Sequence, residues 1–207
     1  IADFSKGNLG ANAIVGGGIA IAVGAALAAR MKGTDQVAVT FYGDGASNIG
    51  ICHEAMNMAS VWKLPVIFIC ENNLYGMSVH VDESTSVEDI SVRAAGYDMP
   101  GYTVDGNDVF AVDEVMKKAL ERARSGEGPT LIECKTYRWF GHWTGDPQNY
   151  RTTEEIEEWK EKCPVKRLRG YLIDKKILTE DEIKEIEAGA QKDIEEAVKF
   201  ALESPEP

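Results

Sequence analysis

The stretch Gln36-Val-Ala-Val-Thr-Phe-Tyr-Gly-Asp-Gly45 decides the fold that we predict for this chain. Its β-branched first part is typical of a strand, and the glycines end that strand. A second apolar run, Val66-Ile-Phe-Ile-Cys70, stops at Glu71-Asn72-Asn73. Between the two runs, residues 46–62 have a helical pattern without an internal proline, and Leu64-Pro65 ends it. The sequence therefore predicts a strand, a helix and a second strand.

The two strand ends are expected to meet at one edge of a sheet. Such a unit closes with a right-handed crossover, so its strands lie parallel and both loops open at the carboxyl edge, where ligands bind in open α/β folds. Twenty-six residues separate Gly43-Asp44-Gly45 from Asn72-Asn73. Gly43 and Gly45 allow a sharp turn and the close approach of a ligand, while Asp44 adds a carboxylate.

These groups match the requirements of a magnesium ion that holds a diphosphate. Mg²⁺ prefers about six oxygen ligands near octahedral geometry and takes some of them from phosphate and water. The Asp44 carboxylate, the Asn73 amide oxygen and the Tyr75 backbone carbonyl would supply three, which leaves room for two diphosphate oxygens and one water. We therefore predict a phosphorylated cofactor.

Other interpretations of the glycine turn are weaker. An isolated Gly-Asp-Gly is a common turn between a strand and a helix, and only its combination with the asparagine pair indicates a cofactor. A dinucleotide site is disfavoured because residues 43–48 lack the third glycine that lets helix and strand pack closely. The P-loop pattern is also absent from the sequence.

Nearly the whole chain resembles one enzyme family. The likeness begins with four stretches around the two loops: Gly43-Asp-Gly-Ala-Ser-Asn-Ile-Gly50, His53-Glu-Ala-Met-Asn-Met-Ala59, Trp62-Lys-Leu-Pro65 and Glu71-Asn-Asn-Leu-Tyr-Gly-Met77. It continues through Val104-Asp-Gly-Asn-Asp108, Gly126-Glu-Gly-Pro-Thr-Leu-Ile-Glu133, Tyr137-Arg138, Gly141-His142 and Asp146-Pro147. The pattern is similar to the thiamine diphosphate motif, and more narrowly to the alpha subunit of the dehydrogenase component of 2-oxo acid and acetoin dehydrogenase complexes.

The resemblance implies a set of site residues. Asp44, Asn73 and the Tyr75 carbonyl would bind Mg²⁺. The other cofactor contacts that the resemblance implies are the diphosphate positions Gly43, Gly45 and Ala46, the aminopyrimidine positions Ala13 and Val15, Met77 near the bent cofactor, and His142 as a catalytic loop histidine at the mouth of the site. The chain departs from the family at Ala13, where a glycine is frequent, and at Trp143, where mitochondrial relatives carry a phosphorylated serine.

The resemblance also implies partners and a reaction. A beta subunit would supply the glutamate that bonds the pyrimidine N1′, in an alpha2beta2 assembly, and the acyl unit would pass to a lipoyl acyltransferase component. Gly141-His-Trp-Thr-Gly-Asp-Pro147 and Lys162-Cys-Pro-Val-Lys-Arg-Leu168 favour acetoin as substrate. The alternatives are a pyruvate or branched-chain 2-oxo acid dehydrogenase alpha subunit, a noncatalytic assembly fragment and, more distantly, a transketolase-like cofactor domain.

Composition agrees with a water-soluble subunit. The 207 residues are 44% hydrophobic and have a formal net charge of −12, which argues against binding nucleic acid or anionic lipid surfaces. Four widely spaced cysteines without metal spacing indicate buried free thiols in a reducing cytoplasm. A secretory signal is not expected, because the sequence shows no charged n-region with a cleavage site, and the chain starts inside what resembles the middle of a domain. The 21 uncharged residues 9–29 are long enough to span a bilayer, but Asn12 and five glycines favour a buried helix instead.

Alternating patterns extend the predicted sheet beyond the two loops. We predict an α/β fold with a mainly parallel sheet flanked by helices and a helical C-terminal extension, and the resemblance implies that it is a thiamine diphosphate-binding fold. We predict helices at 86–95 and 109–124, strands at 102–104 and 130–135, and a long loop at 137–150. The predicted domains are residues 1–150, the cofactor-binding part, incomplete at its N-terminus, and 151–207, packed on it. In the second, Thr179 caps a helix whose face Ile183, Ile186, Ala190, Ile194, Ala197 and Ala201 is spaced for burial.

Overall fold

The computed structural model describes residues 2–11 and 13–206. The chain divides into two compact units on either side of the bond between Glu161 and Lys162. The predicted domain division at residue 150 stays a prediction. Asn12, which precedes the predicted aminopyrimidine position Ala13, lies outside the described residues.

A four-stranded parallel sheet forms the centre of the first unit. Its strands, in spatial order, are β1 (Ala38–Gly43), β2 (Val66–Asn72), β6 (Thr130–Lys135) and β5 (Gly101–Asp105), and each neighbouring pair is parallel. A separate antiparallel pair, β3 (Tyr75–Gly76) and β4 (Val79–His80), forms a short hairpin after β2. The predicted mainly parallel sheet is therefore confirmed, including the parallel pairing of its first two strands.

The central strand β2 explains why both faces of the sheet are covered. Val66, Phe68 and Cys70 enter one hydrophobic cluster, whereas Ile67 and Ile69 enter another on the opposite face. A continuous apolar run is what a strand buried on both faces requires. The first cluster also contains side chains of α1 (Gly17–Lys32) and α2 (Gly50–Val61), and the second contains side chains of α4 (Val109–Arg124). All four cysteines are free and buried, as predicted.

The helix predicted at 86–95 is not formed as such. The chain instead has α3 (Val81–Ser84), an extended segment and a 3-10 helix (Ile90–Tyr97). The Asn48 amide donates to Ser84 O and to Thr85 Oγ1, at 3.1 and 3.3 Å. These bonds hold the extended segment against the turn that follows β1, and such tertiary contacts override a weak helical preference.

The uncharged run at 9–29 is a helix only from Gly17 onward, and one face of that helix is exposed. α1 buries Ile19, Ala22, Val23, Ala26 and Ala29, but its small residues Ala20, Gly24 and Ala28 face solvent. The prediction of a buried helix is therefore correct for one face of α1 and wrong for the face that carries Ala20, Gly24 and Ala28. Within the part of the chain that the structure describes, no helix has the length and apolar character that crossing a membrane requires.

Charged helices follow the long loop at 137–150. α5 (Thr153–Glu161) closes the first unit, and the Glu155 N–H donates to Thr152 Oγ1 at 3.1 Å, as a helix cap does. The second unit contains α6 (Pro164–Asp174) and α7 (Glu180–Glu203), which begins with the predicted capping box between Thr179 and Glu182. Of the apolar face predicted to be buried in α7, only Ile183 is buried, and Ile186 and Ile194 are 59% and 62% exposed. Burial of that face is therefore a wrong prediction beyond Ile183.

Candidate functional site

Asp44 follows the last residue of β1 and is nearly inaccessible to solvent. Its exposed fraction is 1%, and its Oδ2 atom is buried without a hydrogen-bond partner among residues 2–11 and 13–206. Burial raises the pKa of the Asp44 carboxyl, and backbone N–H groups of Asp44 and Asn73, with the Arg138 charge, only partly oppose this increase. A buried carboxylate with an unsatisfied oxygen is energetically costly, so the site is suited to a group that supplies positive charge.

The loop after β2 has a sharply defined backbone. The Asn72 side-chain oxygen accepts from the Leu74 N–H, and the Asn73 oxygen accepts from the Tyr75 N–H, each at 3.2 Å. Leu74 and Met77 have positive φ values of 71° and 56°, which side-chain-bearing residues rarely adopt. Two consecutive side-chain-stabilised turns therefore direct the chain into the β3–β4 hairpin, and the Asn73 oxygen is directed towards its own loop.

The two predicted loops come together in space. A Cβ added to Gly76 would lie 3.4 Å from the Gly45 Cα and 3.8 Å from Asp44 Oδ2. The register Gly43↔Glu71 places the two strand ends side by side. The unsatisfied oxygen of Asp44 therefore faces the Tyr75–Gly76 strand, as expected from two parallel strands that end at the same edge.

The donor set is compatible with a hard cation. Asp44, Asn73 and the Tyr75 carbonyl offer one carboxylate, one amide and one backbone oxygen, and such oxygen ligands suit Mg²⁺. Among the described residues, no group of three or more His, Cys, Asp and Glu side chains could hold a metal ion. A site with one carboxylate and two neutral oxygen ligands is not a cluster of this kind. The observation that fits a cation here is the buried Asp44 oxygen without a hydrogen-bond partner.

Arg138 reaches the same loop, although it was not a predicted site residue. Its guanidinium donates to Tyr75 O at 3.0 Å, to Met77 O at 2.6 Å and to the Tyr150 hydroxyl at 2.8 Å. Arg138 lies three residues after β6, which pairs with β2. The rule that identified Asp44 and Asn73, polar side chains just beyond neighbouring strand ends, could have found Arg138 too.

The other predicted cofactor residues differ in how accessible they are to a ligand. Gly43 has open space beside its Cα, whereas the Ala46 side chain is 5% exposed and belongs to the core, so only its backbone is available to a ligand. Val15 and Met77 are 66% and 56% exposed, and Ala13 is also exposed. Gly16 follows Val15, and a Cβ added to Gly16 would lie 2.1 Å from Ile49 Cδ1. Since Ile49 comes directly after the turn that begins at Asp44, the Val15 segment passes close to that turn.

His142 lies on an exposed loop that Asp146 shapes. Asp146 Oδ2 accepts from the His142 N–H and from the Tyr150 hydroxyl, each at 2.7 Å, and Oδ1 accepts from the Gln148 N–H at 3.0 Å. The His142 ring packs edge-on against Trp143. Because Tyr150 also contacts Arg138, this loop is connected to the Tyr75 loop, but the described contacts do not bring the His142 ring to Asp44 or Asn73.

Behind the site, a buried polar network fixes the start of the loop that follows β2. Glu133 and Asn72 are both 0% exposed, and the Asn72 amide donates to Glu133 Oε1 at 2.7 Å. The Ser91 N–H donates to Glu133 Oε2 at 2.9 Å, and Lys135 Nζ is 3.0 Å from Oε1. This network orients Asn72, whose oxygen in turn forms the first turn of the loop.

A second polar cavity lies at the opposite edge of the sheet. It has a volume of about 450 Å³, and Arg30, Lys63 and Arg124 line it with Asp35. These three cations lie in or just after the last turns of α1, α2 and α4. Cations at helix C-termini balance the negative end of the helix dipole, so this cluster has a structural explanation.

The fold and the strand-end loops define an α/β protein with a candidate ligand site at the carboxyl edge of a parallel sheet. Within that class, the chain belongs to the dehydrogenase E1 component family, which matches residues 2–207.

The most similar relatives fall into two groups. The chain is 48% identical to the alpha subunit of the acetoin:2,6-dichlorophenolindophenol oxidoreductase of Bacillus subtilis, over 100% of this chain and 62% of the relative. It is 44% identical to the same-named subunit of Cupriavidus necator, with the same shares. It is also 45% identical to the testis-specific mitochondrial alpha subunit of the human pyruvate dehydrogenase E1 component, over 99% of this chain and 53% of the relative. The chain thus spans between about half and three fifths of the length of these relatives.

Proposed function

We propose that the chain acts as an alpha subunit of a thiamine diphosphate-dependent dehydrogenase and binds the cofactor diphosphate through Mg²⁺. The observation that carries this proposal is the buried Asp44 carboxylate, whose unsatisfied oxygen faces the Tyr75–Gly76 strand. Membership of the E1 component family supports it.

In this proposal, the residues have separate roles. Asp44, Asn73 and the Tyr75 carbonyl hold the cation, and the backbone of Gly43, Gly45 and Ala46 lines the diphosphate. Ala13, Val15 and Met77 border the organic part of the cofactor. His142 orients the substrate or the incoming lipoyl group at the mouth of the site.

The bound cofactor supplies the carbon nucleophile and the electron sink for cleaving a C–C bond beside a carbonyl. A beta subunit completes the site with the glutamate that bonds the pyrimidine N1′, and the acyl unit passes to a lipoyl acyltransferase component. The proposed assembly is alpha2beta2. Four buried free thiols are compatible with the proposed cytoplasmic location.

Acetoin is the proposed substrate. Two bacterial relatives carry acetoin in their names, at 48% and 44% identity, and the loop Gly141-His-Trp-Thr-Gly-Asp-Pro147 supports the same branch. Pyruvate is the second candidate, because the pyruvate dehydrogenase relatives are 41% to 45% identical. Turnover with the beta subunit and a dye acceptor separates them: higher kcat/KM for acetoin supports the proposal, and higher kcat/KM for pyruvate supports the alternative.

Calorimetric titration tests the cofactor site directly. We expect thiamine diphosphate to bind only with Mg²⁺, either to the chain alone or to its complex with the beta subunit, and Asp44→Ala to abolish this binding. Asp113→Ala is the control, because Asp113 forms a surface pair with Lys117 on α4. Folded protein that binds no cofactor in either setting would instead indicate a noncatalytic assembly fragment.

A further inference from the structure

Tyr75 is held at both of its ends. Its backbone carbonyl, the predicted cation ligand, accepts from Arg138. Its hydroxyl donates to Glu155, with distances of 3.0 and 3.2 Å to the two carboxylate oxygens. The side chain between these ends is only 6% exposed, and its ring contacts those of His80, Tyr137 and Tyr150. The position of this one residue therefore determines where a candidate ligand oxygen lies.

Glu155 is itself well anchored. It lies in the first turn of α5, where its N–H donates to Thr152 Oγ1. Its carboxylate also accepts from the Tyr137 hydroxyl at 3.0 Å, and the Tyr137 ring stacks on Trp159 of the same helix, with 5.3 Å between centroids and 7° between planes. Two phenols from different segments thus meet one carboxylate, and α5 fixes that carboxylate in space.

The loop that carries Tyr75 needs an external restraint. Leu74 and Met77, the residues on either side of Tyr75-Gly76, have left-handed backbone conformations. Such conformations are costly for side-chain-bearing residues and persist only where the surroundings determine them. The bond from Tyr75 to Glu155 supplies such a restraint from outside the loop, because the two residues are 80 positions apart in sequence.

We propose that Glu155 is a positioning residue for the candidate cation site: by holding the Tyr75 hydroxyl, it fixes the Tyr75 backbone, whose carbonyl would bind the ion. The carboxylate does not touch the ion or the cofactor and acts through Tyr75 alone. The inference deepens the proposed function and rests on it, since it takes the Tyr75 carbonyl as a ligand.

Four variants separate positioning from general stability. Glu155→Ala removes the acceptor, and Tyr75→Phe removes the donor but keeps the backbone carbonyl. Glu155→Gln is the conservative variant, because its amide can still exchange hydrogen bonds with a phenol. Tyr137→Phe is the matched control, because it deletes the same kind of bond to the same carboxylate but keeps the Tyr75–Glu155 bond and the aromatic ring that contacts Tyr75.

The first measurement needs no cofactor. Hydrogen exchange of the amides of residues 74–77 in the metal-free chain reports how firmly the loop is held. A hydrogen bond to a charged group corresponds to about a tenfold change in an equilibrium. We expect about tenfold faster exchange in Glu155→Ala and Tyr75→Phe, a smaller increase in Glu155→Gln, and little change in Tyr137→Phe.

The second measurement is cation affinity at saturating thiamine diphosphate, with Mn²⁺ as a paramagnetic probe. We expect about tenfold weaker Mn²⁺ binding in Glu155→Ala and Tyr75→Phe and wild-type affinity in Tyr137→Phe, even where the three variants unfold at similar denaturant concentrations. Equal affinity in all variants, or an equal loss in Tyr137→Phe, would overturn the role of Glu155. If the wild-type protein binds neither Mn²⁺ nor cofactor, the proposed function fails, while the exchange data still decide whether Glu155 holds the loop.

Discussion

At the scale of the residue, Asp44 combines a stability cost with a proposed binding role. Burial raises the pKa of the Asp44 carboxyl, so folding of the cation-free chain makes ionisation of this group less favourable than it is in the unfolded chain. A raised pKa in the folded state means that the stability from protonation is fully present below the unfolded pKa and is lost as pH rises through the folded pKa. At neutral pH the ionised carboxylate therefore destabilises the cation-free chain.

Replacing Asp44 by Asn should consequently stabilise the cation-free chain. We expect Asp44→Asn to raise the free energy of unfolding at neutral pH by about 1 kcal/mol, because a buried charge with one unsatisfied oxygen is removed. The gain should shrink as pH falls through the raised pKa. Urea unfolding in a chelator at several pH values measures both effects, and Asp113→Asn, on the surface of α4, should change little. A loss of stability at neutral pH would contradict the assignment.

Glu133 should have the opposite effect on stability. Its removal leaves the Asn72 amide, the Ser91 N–H and the Lys135 ammonium without their buried partner. Breaking a buried ion pair from one side costs about 3–5 kcal/mol, so we expect a loss of this size for Glu133→Ala in denaturant unfolding. The control Glu127→Ala, which breaks an exposed pair with Arg122, should stay within about 1 kcal/mol of wild type.

Sequence reasoning located some of these residues and missed others for a physical reason. Asp44 and Asn73 were predictable because parallel strands bring their carboxyl ends to one edge. Arg138 follows the same rule from β6 but was not used. Glu155 had no comparable signal, since it lies on a charged helix and its role comes from a contact with Tyr75 that only the folded chain creates.

At the scale of the element, close backbone packing places β5 beside the 3-10 helix of residues 90–97. A Cβ added to Gly101 would lie 2.1 Å from the Ser91 carbonyl oxygen and 2.9 Å from the Ala94 Cβ. Neither neighbour is the flexible end of a side chain. The edge strand of the sheet therefore depends on a glycine at its first position.

Gly101→Ala should be markedly destabilising. We expect a loss of about 2 kcal/mol or more, because overpacking against a backbone atom forces the strand and the 3-10 helix apart. Gly96→Ala, in that same 3-10 helix, meets nothing within 4 Å and is the matched control. Thermal unfolding of both variants tests the difference. Similar melting temperatures would show that β5 and the 3-10 helix can move apart without a loss of stability.

The elements that sequence predicted well are those with strong periodicity. The observed bounds of α4 and β6 coincide with the predicted 109–124 and 130–135. The helix predicted at 86–95 was wrong because Asn48 holds the residues just before this segment, Ser84 and Thr85, and Glu133 accepts from Ser91 within it. In α1 the sequence is uncharged almost all round, so it did not indicate which face of the helix would be buried. The small residues on the exposed face are equally compatible with burial and with exposure.

At the scale of the whole molecule, the acidic composition gives the chain an excess of negative charge. A formal net charge of −12 on 207 residues produces self-repulsion in the compact state. At 0.1 M salt, interactions between exposed charges more than about 10 Å apart are largely screened.

Added salt should therefore stabilise the chain. We expect the thermal midpoint to rise by about 2–4 °C when NaCl increases from about 0.03 M to about 0.3 M, a shift equivalent to about 1 kcal/mol. Differential scanning calorimetry measures the shift, and a matched series in glycerol controls for effects unrelated to ionic strength. A falling midpoint would show that attractive ion pairs, such as Lys135 with Glu133 and Asp89, outweigh the repulsion.

The Tyr75–Glu155 bond also has a consequence for the order in which the molecule is made. The two residues are 80 positions apart, so a ribosome completes the hairpin long before it adds the residue that restrains it. A nascent chain ending before α5 already contains Asp44, Asn73 and Tyr75, yet lacks this anchor. In the proposed function, firm binding of the ion therefore begins only after translation has passed residue 155.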